Sequence, residues 1–240
     1  MAACAATVRR ADPDRYFSAL FAPARSRPYL FALYAFNHEL AHAGENVREP
    51  MAGEIRLQWW REALAGAREG NPRPHDVVRA LAATFAGVVL PAEPFDRMID
   101  ARAFDFSPET FASPAARDAY LDATSGNLMR MAARVLGGAR RADDLAREAG
   151  IAYGLAGLLR GRRAQAARGK SFVAQDDAPR AACDARARLA RARRLPKPGH
   201  ALAAFLPAAL VPLMLREPPR DIAIHRRQLA LLGAALRGRV

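Results

Sequence analysis

Apolar residues in this chain recur at intervals of three and four, not in alternation. Tyr29, Leu33, Phe36 and Leu40 form one such stripe, and Ile151, Leu155 and Leu158 another, which is the spacing of a buried helix face. Strand-like alternation between turn residues is almost absent, so the pattern predicts an all-α protein. Prolines mark where helices start or stop, because a proline lacks the backbone donor that an inner helical turn needs. The intervals between them predict helices near 28–46, 51–69, 76–89, 92–103, 115–136, 142–168, 180–194, 199–215 and 221–237. No internal repeat and no long linker divides this series, so residues 14–240 read as a single helical domain. Residues 1–13 are left as an N-terminal extension whose disorder is an open reading. They are Ala-rich and end in a basic stretch around Val8-Arg9-Arg10, without the apolar core of a secretory signal, which leaves a short transit peptide open. The run from Ala201 to Leu215 is apolar but holds Pro207 and Pro212. It is shorter than the about 20 residues that a spanning helix needs, and predicts a buried or interfacial helix.

Composition narrows the class without naming a function. A chain of 240 residues and 26.1 kDa buries about 70% of its unfolded surface, enough for a sizeable core. Hydrophobic residues make up 51% and charged residues 25%, with 16 Gly and 17 Pro, which excludes collagen-like and disordered classes. Cys4 and Cys183 are too few and too far apart for a disulfide framework or a four-cysteine zinc site, and they favour a reducing compartment.

Charge changes the picture more. The net charge is +13, and it is uneven: residues 1–120 hold 14 Arg against 15 Asp and Glu, whereas residues 121–240 hold 23 Lys and Arg against 9 acids. A basic second half suggests an anionic partner, whether nucleic acid, phospholipid headgroups or a diphosphate-bearing small molecule. Only Lys170 and Lys197 are lysines, so part of the Arg excess reflects an Arg- and Ala-rich composition. The spacing of the arginines is better evidence than the total.

One motif offers metal chemistry. His38-Glu39-Leu40-Ala41-His42 matches H-E-x-x-H, which places two imidazoles one helical turn apart on a zinc ion, with Glu62 as a nominal third ligand. The longer metalloprotease extension is missing, since Glu45 and Arg48 stand at its Gly and His positions. The pentapeptide therefore reads first as a polar helix face, and a zinc set of His38, His42 and Glu62 stands as the alternative.

The surroundings of that pentapeptide are more specific. Phe21-Ala22-Pro23, Arg25, Arg27-Pro28 and Phe31-Ala32-Leu33-Tyr34-Ala35-Phe36-Asn37 resemble the opening of the squalene/phytoene synthase family, the head-to-head isoprenyl diphosphate synthases. Ile55 to Leu64, with Trp59-Trp60, resembles the family's Trp-containing helix, and Tyr120 to Gly137 its small-residue helix. Gly154 to Arg160 resembles the start of its second metal-binding helix, with Arg168-Gly169-Lys170 beyond it. The resemblance covers residues 14–215 and implies an isoprenoid-synthase-like helical bundle around a central cavity.

The resemblance also implies two D-x-x-x-D elements on facing helices, whose carboxylates hold the Mg²⁺ that neutralises the departing diphosphate. On this chain the first falls on Ala41-His42-Ala43-Gly44-Glu45, where only Glu45 is acidic. The second falls on Gly161-Arg162-Arg163-Ala164-Gln165, where neither end is acidic. Cations at Arg162 and Arg163 would repel the metal. A kept framework with lost carboxylates resembles the complex I assembly factor branch of the family. Asn37 with Glu39-Leu40-Ala41, Val47-Arg48-Glu49-Pro50 and Arg56-Leu57-Gln58-Trp59-Trp60 carry that likeness.

Likeness to that branch implies, as an expectation, a non-catalytic helper in assembling the respiratory NADH:quinone oxidoreductase, with complex I subunits or assembly intermediates as partners. It would sit peripherally at the inner membrane from the cytoplasm of a bacterium, or in the mitochondrial matrix of a eukaryote. No cofactor is expected. Mg²⁺ enters only under the alternative, a prenyl-diphosphate transferase that uses Glu45, Asp176 or Asp177. Arg160, Arg163, Arg168 and Lys170 are candidates to bind phosphate or a phosphorylated isoprenoid in the vacated site, against the reading of a solvated helix end. Arg186, Arg191 and Arg194 are candidates to meet anionic lipid. Nucleic-acid binding ranks lowest, because no helix-turn-helix, zinc or aromatic module is present to read bases.

Overall fold

The computed structural model describes residues 1–43, 50–107, 109–138, 142–167, 169–216 and 222–240, and every regular element among them is helical. The chain opens with α1 (Ala2–Ala11), α2 (Pro13–Ala19) and α3 (Arg27–His42). Helix α3 carries the core: Leu30 to Phe36 and Leu40 are buried on all sides, as a helix apolar around its circumference must be. Its entry is fixed by Arg27, which donates to the carbonyls of Ala22 and Leu20, both at 2.9 Å. Helix α1 and α5 (Asp76–Gly87) lie against α3.

The N-terminal segment differs from the sequence expectation. Residues 1–13, read as an extension, contain a helix whose Cys4 and Val8, one turn apart, are completely enclosed. Asp12 then caps α2 by accepting from the Arg15 N–H at 3.0 Å. A small Ala-rich helix has few large apolar residues to announce its buried face, so periodicity does not reveal it.

Helix α4 (Pro50–Arg68) and α6 (Glu93–Arg102) follow the predicted spans closely. The predicted helix 115–136 is instead α7 (Pro114–Leu121), a π-helical turn over Asp122–Gly126, and α8 (Asn127–Val135). The widened turn brings Gly126 against Gly150 of α9 (Asp143–Ala167), backbone to backbone; a Cβ on Gly150 would lie 2.5 Å from the Gly126 Cα. Helix α10 (Ala178–Arg194) buries Ala181, Ala185, Leu189 and Ala192 and packs along α9. Charges lock the same seam: Arg188 bonds Asp118 and Glu148, Arg191 bonds Glu148, and Arg117 bonds both Asp118 and Asp184. Arg188 and Arg191 of the basic second half are thus held by acids of the same molecule.

The predicted helix 199–215 breaks into a 3₁₀ turn, α11 (Leu202–Phe205), a second 3₁₀ turn and α12 (Val211–Met214). Pro207 and Pro212 each withdraw a backbone donor there. Phe205 to Val211 are all buried, so this apolar stretch belongs to the core. The last helix, α13 (Ile224–Arg237), is held on a small apolar cluster of Leu206, Ala209, Leu210, Leu231 and Ala234.

Candidate functional site

Of the two stretches matched above to metal motifs, Ala41 and His42 close α3, and Gly161 to Gln165 lie in the second half of α9. On α3, His38 and His42 face each other one turn apart with ring centroids 3.8 Å apart, and His42 Nδ1 sits 2.9 Å from the His38 carbonyl. Donation to its own helix accounts for that nitrogen. Glu62, the nominal third zinc ligand, accepts from Gln58 at 3.0 Å and from Arg73 at 2.6 Å. These two bonds hold its carboxyl below the ordinary carboxylate range, the Gln58 bond contributing most. Among the described residues no group of three His, Cys, Asp or Glu could hold a metal ion, so the zinc set is not assembled here. Ala41 stands at the first carboxylate position of the first motif; Glu45 lies outside the described residues.

The second motif is closed by its own side chains. Gln165 folds back so that its Nε2 donates to the Leu158 carbonyl at 3.3 Å, and the same amide nitrogen covers Gly161, where a Cβ would meet it at 2.9 Å. Its Oε1 is buried with no partner. Arg162 donates to Gln175, and Arg163 is exposed. Ala41, Gly161 and Gln165 with two neighbouring guanidiniums offer no hard anionic oxygens. This donor set does not fit a Mg²⁺ cluster.

Two of the four anion-binding candidates, Arg160 and Lys170, interact elsewhere in the protein. Arg160 contributes to the field on Asp14 of α2, together with Arg227 of α13. Lys170 donates to the carbonyls of Phe104 at 3.1 Å, Glu109 at 2.9 Å and Ser107, and its ammonium stands over the Phe104 ring at 4.2 Å and the Phe172 ring at 4.9 Å. It is a clamp on the 104–109 segment, not a free phosphate ligand. Arg168 lies outside the described residues. Of the membrane candidates, Arg191 is paired with Glu148 and Arg186 donates to the Leu215 carbonyl at 3.3 Å, while Arg194 is exposed. The acids of the transferase alternative, Asp176 and Asp177, are exposed at the start of α10.

Two polar clusters were not anticipated. Arg102 donates to Asp105 at 3.0 Å, to the Tyr120 hydroxyl at 2.9 Å and to Asn37 at 3.5 Å, and the Tyr120 hydroxyl donates to Asp105 at 2.7 Å. Around it Phe104, Phe111, Tyr120 and Phe172 pack ring against ring. Burial opposes the charge on Arg102, but Tyr120 and Asp105 outweigh it, and the guanidinium stays firmly protonated. In the second cluster Arg15 bonds Asp12 and lies 4.9 Å from the Tyr153 ring centre. Burial raises the phenols of Tyr34, Tyr120 and Tyr153, keeping all three neutral. Both clusters draw their partners from distant segments, so only a weak signal, an Arg and an Asp three residues apart, was open to reading in sequence. Neither presents a nucleophile or a base to an open space; their chemistry is structural.

Comparison with known proteins fits this geometry. The family model for squalene/phytoene synthase matches residues 8–217. The human protein called NADH dehydrogenase (ubiquinone) complex I, assembly factor 6, is 28% identical over 174 residues, which is 72% of this chain and 52% of that one. The Drosophila melanogaster homolog is 30% identical over 168 residues, 65% of this chain and 49% of that one. The chain thus spans about half the length of the curated relatives it matches. Among solved structures, a dehydrosqualene synthase in complex with ligand superposes with a TM-score of 0.81 at 17% identity, covering 98% of this chain and 95% of that one. Squalene synthase HpnC from Alicyclobacillus acidocaldarius gives 0.70 at 21% identity, covering 98% and 93%. These two likenesses bear on the fold, an all-α isoprenoid-synthase bundle.

Proposed function

The chain belongs to the squalene/phytoene synthase family, and we propose that it is a non-catalytic member that helps to assemble respiratory complex I at the membrane surface. The observation that carries this reading is a retained fold with vacated metal positions. Ala41 and Gly161 hold no ligand atom, and Gln165 is folded onto its own helix. Ionisation of a prenyl diphosphate leaves charge that only metal or dense cationic contacts can stabilise. Here Arg162, inside the second motif, and Lys170, five residues beyond it, are committed to protein oxygens. The name of the relatives supports the partner: complex I subunits or assembly intermediates, met from the cytoplasm of a bacterium or the matrix of a mitochondrion. No described helix is long and apolar enough to cross a membrane, and contact with the bilayer would be peripheral.

Two measurements test this. Purified protein with Mg²⁺ and farnesyl or geranylgeranyl diphosphate should give no head-to-head product, and Mg²⁺-dependent turnover would overturn the reading. In its host, the tagged chain should co-isolate with complex I subunits, and its deletion should lower the amount of assembled complex. Normal assembly without it would equally reject the proposal.

A further inference from the structure

Helix α13 is apolar on two sides. Its inner side seats Leu231 and Ala234, fully buried, while Arg227 reaches inward to Asp14 at 2.9 Å. On the outer side His225, Leu229, Leu232 and Leu236 recur at intervals of four, three and four, which places them on one face. The three leucines are 65%, 44% and 80% exposed. A single exposed leucine needs no explanation, but three aligned on one helix do.

Cations lie along one flank of this ridge. Arg226 and Arg237 are exposed on α13 itself. Where its C-terminal end meets the end of α10, Arg193, Lys197, Arg237 and Arg239 line an open cleft of about 510 Å³ with Val240. Arg193 also donates to a backbone α-carboxyl oxygen of Val240 at 2.9 Å. No Asp or Glu side chain occurs in residues 186–216 or 222–240, so four cationic side chains face at most the α-carboxyl of Val240 within these segments. The arginines of mid-α10 differ, since Glu148 and Asp118 hold Arg188 and Glu148 also holds Arg191.

We infer that the leucine ridge of α13, with the basic corner formed by Arg193, Lys197, Arg237 and Arg239, docks the protein on an anionic lipid bilayer. The outer face of a surface helix is a ridge, which suits the boundary between headgroups and acyl chains, where amphipathic helices lie flat with their apolar side immersed. The rim of cations meets lipid phosphates, each cation adding affinity of about fivefold. The charge complementarity selects an anionic surface, and the leucines select one with an apolar layer beneath it. This deepens the membrane-surface part of the reading above. Its assay contains only protein and lipid, so failure here is distinguishable from failure of the assembly reading, which co-isolation with complex I subunits decides.

The test is co-sedimentation of the full chain with vesicles of equimolar phosphatidylcholine and phosphatidylglycerol, against phosphatidylcholine alone. The parent should sediment with the anionic vesicles and remain in solution with the neutral ones, and added salt should weaken the binding. L232D/L236D and K197E/R237E should each lower the bound fraction more than tenfold, with helical circular dichroism and melting unchanged because the substituted side chains face solvent. Should L232D/L236D unfold, Leu236→Trp replaces it: its fluorescence should be quenched by brominated acyl chains beyond the level that Trp59 and Trp60 give in the parent. Parent-like sedimentation of both charge and leucine variants, the absence of that quenching, or no binding of the parent to anionic vesicles overturns the inference. The last outcome would turn the ridge over to a protein partner.

Discussion

Asp14 shows how a single buried group sets a pH response. It is 5% exposed and accepts from Arg227 at 2.9 Å. Burial raises its carboxyl above the ordinary range, and Arg227 recovers only part of that shift. A raised folded-state pKa means the folded chain holds the proton more tightly than the unfolded one. This contribution to stability is complete below the unfolded pKa and is lost as pH rises through the folded value. Asp14→Asn should therefore flatten the decline, seen as a parent-minus-variant difference in melting temperature that shrinks as pH rises from the carboxylate range and then levels off. A difference that grows with pH would show that the ion pair dominates burial. Lys170 teaches the complementary lesson. Its place in a basic run reads as an anion ligand, yet its partners are carbonyls more than sixty residues away in the 104–109 segment, which no local pattern encodes. Lys170→Met keeps the stem and loses the bonds, and urea unfolding should show a loss of about 2 kcal/mol.

Helices were legible where a stripe of large apolar residues met a proline or a cap. That covers α3, α4, α5, α6, α9 and α10, whose observed ends lie within a few residues of the expected ones. Failures have physical causes: Ala-rich α1 lacks large side chains, and Pro207 and Pro212 lie inside a run that hydrophobicity alone joins. The π turn at Asp122–Gly126 is the subtler miss, since it brings two glycines of different helices together. Gly150→Ala would drive a methyl onto Gly126 backbone, at 2.5 Å from its Cα and 2.7 Å from its nitrogen. Backbone cannot step aside as a side chain does, so the cost should be about 2 kcal/mol. Gly161→Ala is the control, because among the described residues its only close neighbour is the movable Gln165 amide; helix propensity there favours Ala by up to about 1 kcal/mol. Equal destabilisation by the two changes, measured by thermal melting, would refute the packing account of the π turn.

At the scale of the molecule, the family motifs were legible residue by residue, because a lost carboxylate is visible in sequence as surely as a kept one. The surface proposed here to meet the bilayer was not, because the charge run of α10 gives no sign that Arg191 turns toward Glu148 while Lys197 does not. The apolar core divides unevenly: one large cluster runs through α1, α3, α5, α8 and α9, and a small one of five buried residues lies under α13. Local stability follows buried apolar contact, so α13 should open without the rest. Native-state hydrogen exchange should find its amides exchanging through a lower-energy opening than those of α3 and α8. Leu231→Ala removes the largest side chain that α13 contributes to the small cluster. It should speed exchange in α13 by more than tenfold, corresponding to the lower end of the roughly 2–5 kcal/mol typical of a buried Leu→Ala change, while α3 amides keep their rates. Exchange of α13 in step with global unfolding would mean that the Arg227–Asp14 pair couples it to the main core, and Arg227→Met should then uncouple the two.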